Sequence, residues 1–191
     1  MTSLRSVTLA LDTLLVGPGA TRAEKGLSYG VATVAGAACV VYLNLNAGLD
    51  HWQTLLYALL AFDIAGGSVA CSLGPLQRHH RARYASNIKQ AIFTMAHFPH
   101  VLALLWLLCD ASVQAALYGL VVLTLGCVAC AMKPSRVEGG IRSAAFLASS
   151  AVSLTALSTT TLQGLLLTGL FYKLFVAFPS FRQPSAGVNG G

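Results

Sequence analysis

Charged side chains are scarce in this chain of 191 residues: Asp, Glu, Lys and Arg make up 9% of it, and only 6 residues are acidic. Soluble domains carry about 25% charged residues. With 55% apolar residues and a mean hydropathy of +0.69, the chain has too few charges to coat a water-soluble surface. The composition excludes intrinsic disorder and disfavours a soluble enzyme or a nucleic-acid-binding protein. It is typical of an integral membrane protein.

Several enzyme motifs are also missing from the sequence. It contains no G-x-S-x-G nucleophile motif, no Walker phosphate loop and no dinucleotide-binding fingerprint. Serine-triad hydrolysis and nucleotide chemistry are therefore disfavoured. The 5 cysteines are not spaced like an extracellular disulfide framework. Cys127 and Cys130 form a C-x-x-C on an apolar segment, where helix packing is favoured over a redox or metal role.

The sequence does contain long apolar runs. Six of them approach the length of about 20 residues that an α-helix needs to cross a bilayer. The sequence thus predicts an all-α, polytopic membrane bundle of about six transmembrane helices over residues 27–178. An N-terminal interfacial segment at 1–26 and a disordered tail at 179–191 are expected on either side. The six predicted spans are residues 27–49, 52–73, 88–108, 113–132, 141–158 and 162–178.

The basic residues predict how this bundle is oriented. All Lys and Arg residues except Lys173 lie in the termini, in alternate connections or at the second residue of the span that follows such a connection, which places them on one side of the membrane. By the positive-inside rule, that side and both termini are cytoplasmic. The connection at residues 77–84 is the most basic. Attraction to anionic lipid is its favoured role, and a headgroup or diphosphate clamp made by Arg78, Arg81 and Arg83 is the alternative.

Asp63 is the most informative of the ionisable residues within the predicted spans. It lies eleven residues into the second span, about 16 Å along a helix and close to the bilayer midplane. A charge there costs several kcal/mol, so we expect it to have a function. Gly66 and Gly67 share its helical face and would let a helix or a ligand approach the carboxylate. The alternative is a packing carboxylate bonded to a neighbouring helix.

The third span contains the sequence A-H-F-P-H. His97 and His100 are three residues apart and share a face, and Pro99 between them should kink the helix. Two such histidines can relay protons or bind a metal together. The alternative is a structural role, with one histidine bonded across helices. His97 and His100 are thus also candidate metal ligands, although the sequence requires no cofactor.

Lys173 lies at a similar depth in the sixth span. Two interpretations stay open: its side chain reaches the cytoplasmic surface, or it forms a buried ion pair with Asp63, which would be either structural or functional. Tyr42 and Asn44 form a polar patch nearer the outer face of the first span. Together with Lys173 and the two glycines beside Asp63, they are the predicted substrate contacts.

These motifs resemble those of an uncharacterised group of small multi-pass membrane proteins. The matching features are A-F-D-I-A-G-G on one helix, a basic connection, A-H-F-P-H on the next helix, and F-Y-K-L near the end. The resemblance covers about residues 55–178. By size and topology alone, the chain is also similar to the small integral-membrane terpene cyclases, which protonate a polyprenyl substrate with a buried carboxylic acid. The first resemblance implies a single site formed by Asp63, Gly66, Gly67, His97, His100 and Lys173.

Three functions are compatible with this pattern. The first is a membrane-embedded enzyme in which Asp63, His97 and His100 act as acid and base on a lipophilic, for example isoprenoid, substrate, by cyclisation or isomerisation. The second is a proton, metal or solute transporter, for which a homo-oligomer would be expected. The third is an accessory subunit of a membrane complex. The expected partners are the bilayer and a small lipophilic ligand, with no nucleic acid.

Overall fold

A computed structural model of the chain describes residues 12–13, 15–83, 87–106, 138–154 and 161–177, with the single positions 117, 120, 121 and 124. The secondary structure in these ranges is helical, which confirms the all-α prediction for this part of the chain. The predicted fourth span and the predicted tail lie outside it, apart from those single positions. The helices are α1 (Arg22–Asn46), α2 (His51–Ser72), α3 (Gly74–Arg83), α4 (Asn87–Met95), α5 (Phe98–Trp106), α6 (Glu138–Val152) and α7 (Thr161–Phe171), which continues as a π-helical turn (Tyr172–Ala177).

The two longest helices, α1 and α2, pack against each other as an antiparallel pair. By length and composition, both could cross a membrane. Their backbones approach closely at glycines: a Cβ on Gly36 would lie 3.2 Å from the Ala58 carbonyl oxygen, and one on Gly66 would lie 2.7 Å from the Ala32 Cβ. Small residues at such crossings allow close helix packing. These contacts fix the position of the second half of α2 against α1.

Helix α1 begins five residues before its predicted start because of a capping box. The Thr21 hydroxyl accepts a hydrogen bond from the Glu24 N–H at 3.2 Å, and the Glu24 carboxylate accepts one from the Thr21 N–H at 2.8 Å. The two bonds satisfy donors that the first turn leaves free. The helix therefore extends through the basic residues Arg22 and Lys25.

The basic connection after α2 is helical rather than an irregular loop. Helix α3 runs from Gly74 to Arg83 and packs against the N-terminal segment, in which Val16 is buried. Gly17 has a φ of +94°, and a Cβ there would lie 2.5 Å from the Leu76 nitrogen. Glycine is therefore the residue that lets the segment pass this close to α3.

The predicted third span is broken where its proline predicts a kink. Helix α4 ends at Met95, Ala96 and His97 form a turn, and α5 begins at Phe98. Pro99 falls in the first turn of α5, where a missing N–H removes no helical bond. The kink prediction is confirmed, and the break lies at the first of the two histidines.

The core lies where α2, α5 and α7 meet. The carbonyl oxygen of Leu104, in the last turn of α5, accepts hydrogen bonds from the Tyr57 hydroxyl at 3.1 Å and the Gln163 amide at 2.7 Å. Both side chains are fully buried, so their bonds satisfy polar groups that burial would otherwise penalise. Apolar side chains fill the space around them, including Leu60, Ile64, Leu167, Leu170, Phe171 and Phe175.

Candidate acid–base site

Asp63 and Lys173 form an ion pair across two helices. The Lys173 Nζ lies 2.7 Å from the Asp63 Oδ2 and 3.4 Å from the Asp63 carbonyl oxygen. The lysine side chain is only 6% exposed and the aspartate side chain 35% exposed. The sequence left two interpretations open for Lys173. The structure agrees with the second, in which Lys173 forms an ion pair with Asp63. Each charge offsets the desolvation cost of the other.

Two local features bring Lys173 to Asp63. It lies in the π-helical turn at the end of α7, and such wide turns occur frequently at functional sites. On the facing helix, a Cβ on Gly67 would lie 2.6 Å from the Lys173 Cε and 2.7 Å from its Nζ. Gly67 thus provides the space for the lysine side chain, while Gly66 provides the contact with α1. The two adjacent glycines serve different neighbours.

His100 is the third residue at the Asp63 carboxylate. Its Nε2 lies 3.5 Å from the Asp63 Oδ2, which is an electrostatic contact and longer than an ordinary hydrogen bond. The Nδ1 of His100 is buried and has no hydrogen-bond partner among the described residues. The rings of His97 and His100 have centroids 5.1 Å apart, so the predicted shared face of the two histidines is confirmed.

The helix break positions the ring of His97. The His97 N–H donates to the Thr94 carbonyl at 3.1 Å instead of continuing the regular helical bond to Phe93. The Phe93 carbonyl oxygen accepts a hydrogen bond from the His97 Nδ1, at 2.9 Å. Because a carbonyl can only accept, Nδ1 carries the proton, and the Nε2 of a neutral His97 is an acceptor.

Four side chains therefore form one group, which we call the Asp63 cluster: Asp63, Lys173, His100 and His97. They come from α2, the π-helical turn, the start of α5 and the break before it. Sequence reasoning had placed these four residues in one layer, and the structure brings them together. The sequence did not identify Phe93 as a neighbour of this group. The centroid of its ring lies 4.7 Å from that of His97 and 5.7 Å from that of His80 of α3. Nothing in the residue pattern around Phe93 marked it.

A cavity of about 250 Å³ lies beside the cluster, and we call it the Asp63 cavity. Of the four cluster residues, Asp63 alone lines it. The wall consists of the two glycines after Asp63 and of mainly apolar side chains from three segments. They are Leu15 and Val16 before α1, Ser28, Tyr29 and Ala32 of α1, and Leu59 and Phe62 of α2. A second cavity of about 520 Å³, between α1, α2, α6 and α7, has no cluster residue in its described wall.

The N-terminal wall of the Asp63 cavity was missed from the sequence. Asp12 holds it in place, because its carboxylate pairs with Lys25 and accepts a hydrogen bond from the Tyr29 hydroxyl at 3.0 Å. The hydrogen bond from Lys25 is the main reason why the pKa of Asp12 lies below its usual range. The interruption of an apolar run by one aspartate, followed by a lysine and a tyrosine, was the available signal.

Other predicted site residues lie away from the cluster. Tyr42 and Asn44 are exposed on α1, more than one turn beyond Gly36, which packs near Phe62. The structure therefore does not bring them to Asp63. Arg78 of α3 is exposed. Arg81 and Arg83 lie in the same helix, but their side chains are outside the described part of the structure.

No group of three or more His, Cys, Asp or Glu side chains is placed to hold a metal ion among the described residues. The Asp63 Oδ2, a possible third ligand beside His97 and His100, instead contacts the ammonium group of Lys173 at 2.7 Å. The cluster therefore consists of one ion pair with two imidazole rings beside it.

Comparisons with protein-family models, with curated proteins and with solved structures find no match to this chain.

Proposed function

We propose that the chain is a multi-pass membrane protein of about six spans, with both termini cytoplasmic, whose Asp63 cluster performs acid–base chemistry on a lipophilic molecule held in the Asp63 cavity. Cyclisation and isomerisation are the reaction classes that suit the site. The resemblance to small multi-pass membrane proteins belongs to the same proposal.

The surface of the two long helices supports the membrane location. Large apolar side chains are more than half exposed along both: Leu27, Val34 and Leu45 on α1, and Leu55 and Leu59 on α2. So many large apolar side chains exposed on two helices are costly in water and favourable in a bilayer. The one-sided distribution of lysine and arginine along the sequence adds the orientation.

One observation carries the chemical part of the proposal: Asp63 belongs to both the cluster and the cavity. On one side its Oδ2 contacts Lys173 and His100, and it also lines a cavity whose wall is mainly apolar. Pockets that bind small molecules combine an apolar wall with a few polar groups in this way. A purely structural ion pair would need no adjoining space.

The cluster contains the parts of a proton-transfer isomerisation. Asp63 is the cluster residue that lines the cavity, and its carboxylate is a base that can take a proton from one carbon of a bound molecule and then return that proton to another carbon. The double bond shifts, and the substrate loses and gains one proton. Asp63 is a carboxylate again at the end of the cycle, so no co-reactant is needed, and His100 orients it through the contact with Oδ2. Lys173 keeps the carboxylate in place.

The substitution Asp63→Asn tests this proposal, because it nearly preserves shape and removes the ionisable group. We would express both forms in the same membranes and compare the lipid extracts by chromatography and mass spectrometry. The expected result is a pair of isomeric lipophilic species whose ratio changes with the unmodified protein and stays at the background value with Asp63→Asn. Asp50→Asn is the matched control, since Asp50 is an exposed residue just before α2.

Two results would contradict the proposal. Lipid extracts that are the same with both proteins, combined with a proton flux into sealed vesicles that Asp63→Asn abolishes, would support transport instead. Unchanged lipids and unchanged flux, with Asp63→Asn still folded, would leave Asp63 as a packing residue.

A further inference from the structure

We infer that the ligand of the Asp63 cavity is a neutral lipophilic alcohol of about ten non-hydrogen atoms, whose hydroxyl donates a hydrogen bond to the Asp63 Oδ1. This inference rests on the proposed function, because it names the ligand class of the same site. Its three parts are the size of the ligand, the position of its polar group and its charge.

The volume of the cavity sets the size. The Asp63 cavity measures about 250 Å³, and an apolar protein cavity of about 150 Å³ is large enough to bind benzene, which has six non-hydrogen atoms. In proportion, the Asp63 cavity takes a molecule of about ten non-hydrogen atoms. This is the size of a short isoprenoid or a medium-chain alcohol, and it is too small for a whole membrane lipid.

The cavity wall gives the apolar body of the ligand its surroundings. Leu15 and Val16 lie on one side, and Leu59 and Phe62 lie on the side of α2. Leu59 is 56% exposed on the outer surface of the helix pair. In a membrane this surface faces lipid, so a lipophilic molecule has a route into the cavity from the bilayer.

Asp63 gives the position of the polar group. Its contacts with Lys173 and His100 both use Oδ2, and no contact in the described part of the structure uses Oδ1. The Asp63 side chain is 35% exposed and lines the cavity. An ionised carboxylate accepts hydrogen bonds at both oxygens, so a hydroxyl hydrogen of a ligand would complete the shell of Asp63.

The charge of the cluster favours a neutral donor over an ammonium group. The charge of Asp63 is already balanced by Lys173 at 2.7 Å. A second cation at the same carboxylate would lie next to the lysine in a site of low dielectric, where like charges repel strongly. A hydroxyl group donates a hydrogen bond without adding charge.

The photoreactive alcohol 3-azioctanol, which is close to the inferred size, can test the inference. We would irradiate the full chain with it in phosphatidylcholine vesicles and locate the adducts by mass spectrometry. The expected adducts lie at the cavity wall, in the peptides that hold Val16 and Phe62, and 1-decanol should compete with them. Leu59→Trp, which narrows the cavity, should lower this labelling at least fivefold. Leu55→Trp is the matched control: Leu55 is one turn away, similarly exposed at 60%, and does not line the cavity.

Three competitors of similar length test the hydroxyl donor. We expect 1-decanol to compete at about one tenth of the membrane concentration that methyl nonyl ether needs, because the ether has no hydrogen to donate to the carboxylate. Decylamine, which is protonated at neutral pH, should compete less well than 1-decanol.

Adducts spread over the lipid-facing surface would overturn the inference, and so would equal competition by alcohol and ether or stronger competition by the amine. Because binding is measured without turnover, these outcomes are separate from the Asp63→Asn test of the proposed function.

Discussion

Two carboxylate–lysine ion pairs lie near the Asp63 cavity. They have the same chemistry but differ in sequence separation and in the exposure of the lysine. Asp12 and Lys25 are 13 positions apart in the chain and lie near the surface, where the lysine side chain is 36% exposed. Asp63 and Lys173 are 110 positions apart, and the lysine side chain is 6% exposed. Both carboxylates also have a second polar partner, Tyr29 for Asp12 and His100 for Asp63.

The comparison teaches that environment, and not residue type, decides what such a pair does. An exposed pair contributes little to stability, because water and salt screen it. A buried pair is costly to break, because the remaining charge has no solvent to stabilise it. The Asp12 pair therefore holds a segment in place, whereas the Asp63 pair holds a charge inside the protein.

Removal of the two lysines should give the largest difference. Lys173→Met leaves Asp63 without its counter-charge. Because the Asp63 side chain is 35% exposed, the free energy of unfolding should fall by about 3 kcal/mol, the lower end of the cost of breaking a buried pair. Lys25→Met should lower it by less than about 1 kcal/mol. The measurement is unfolding followed by circular dichroism, with all variants in the same mild detergent.

The double variant Asp63→Asn with Lys173→Met is the control for the first prediction. It removes both charges and should recover part of the loss caused by Lys173→Met alone. Equal losses for the two lysine variants would mean that Lys173 gains no more from its partner than Lys25 does, and the distinction between the two pairs would fail.

The segment held by Asp12 gives the second prediction. Gly17→Ala adds backbone strain at a φ of +94° and a contact of 2.5 Å with the backbone of α3, which together should cost about 2–4 kcal/mol. Gly19→Ala is the matched control, since its φ of +74° is similar and no atom lies within 4 Å of its Cβ. It should cost about 1 kcal/mol.

Hydrogen exchange can measure this second effect locally. The amides of Val16 and Gly17 donate to the carbonyls of Asp12 and Thr13, at 3.0 and 3.1 Å. Their protection should fall strongly in Gly17→Ala and only slightly in Gly19→Ala. If both variants lose the same protection, the close approach of the segment to α3 contributes nothing, and the cavity wall there is held by Asp12 alone.

The third prediction compares the two histidines of the cluster. Only His100 reaches the Asp63 carboxylate, at 3.5 Å, while His97 donates to the Phe93 carbonyl. If the proposed function is correct, His100→Gln should lower turnover about tenfold more than His97→Gln, which corresponds to about 1.4 kcal/mol of activation free energy. The isomer ratio in the lipid extracts measures it. The reverse order would mean that the contact of His100 with the Asp63 carboxylate does not support turnover.

The Asp63 cluster was predictable because a charge in an apolar span needs a partner. Asp63 and Lys173 stand out in long apolar runs, and the spacing of His97 and His100 on either side of a proline predicts both their shared face and the helix break. These four residues stand out because charged residues are scarce in this chain. In a chain with many charges, the same four would not have been distinguished.

The wall of the cavity was not predictable in the same way, because it depends on contacts between distant segments. Val16 looks like any residue of a short apolar run, and nothing local tells that Gly17 lies against the backbone of α3. The π-helical turn that carries Lys173 also has no sequence signature. The earlier start of α1 was in principle readable, since Thr21 and Glu24 have the spacing of a capping box.

The smallest predicted effect is the response of the Asp12 pair to acid. The bond to Lys25 keeps the pKa of Asp12 below its usual range, and the unfolded value is about 3.9. A carboxyl group with a lowered pKa in the folded state stabilises that state above the unfolded pKa, and this contribution is lost as the pH falls through the folded pKa. The N-terminal segment should therefore stay in place from pH 7 to about pH 4 and loosen below it.

The test is the ratio of the exchange rates of the Val16 amide in the unmodified chain and in Asp12→Asn, measured at each pH so that the intrinsic pH dependence of exchange cancels. The asparagine keeps the shape of the aspartate but has no carboxylate to titrate. The unmodified chain should exchange more slowly than the variant at neutral pH, and the two rates should converge below about pH 4. A ratio that stays constant over the whole range would show that the charge of Asp12 does not hold the segment. The closure of the Asp63 cavity would then depend on the packing of Val16 and Gly17 alone.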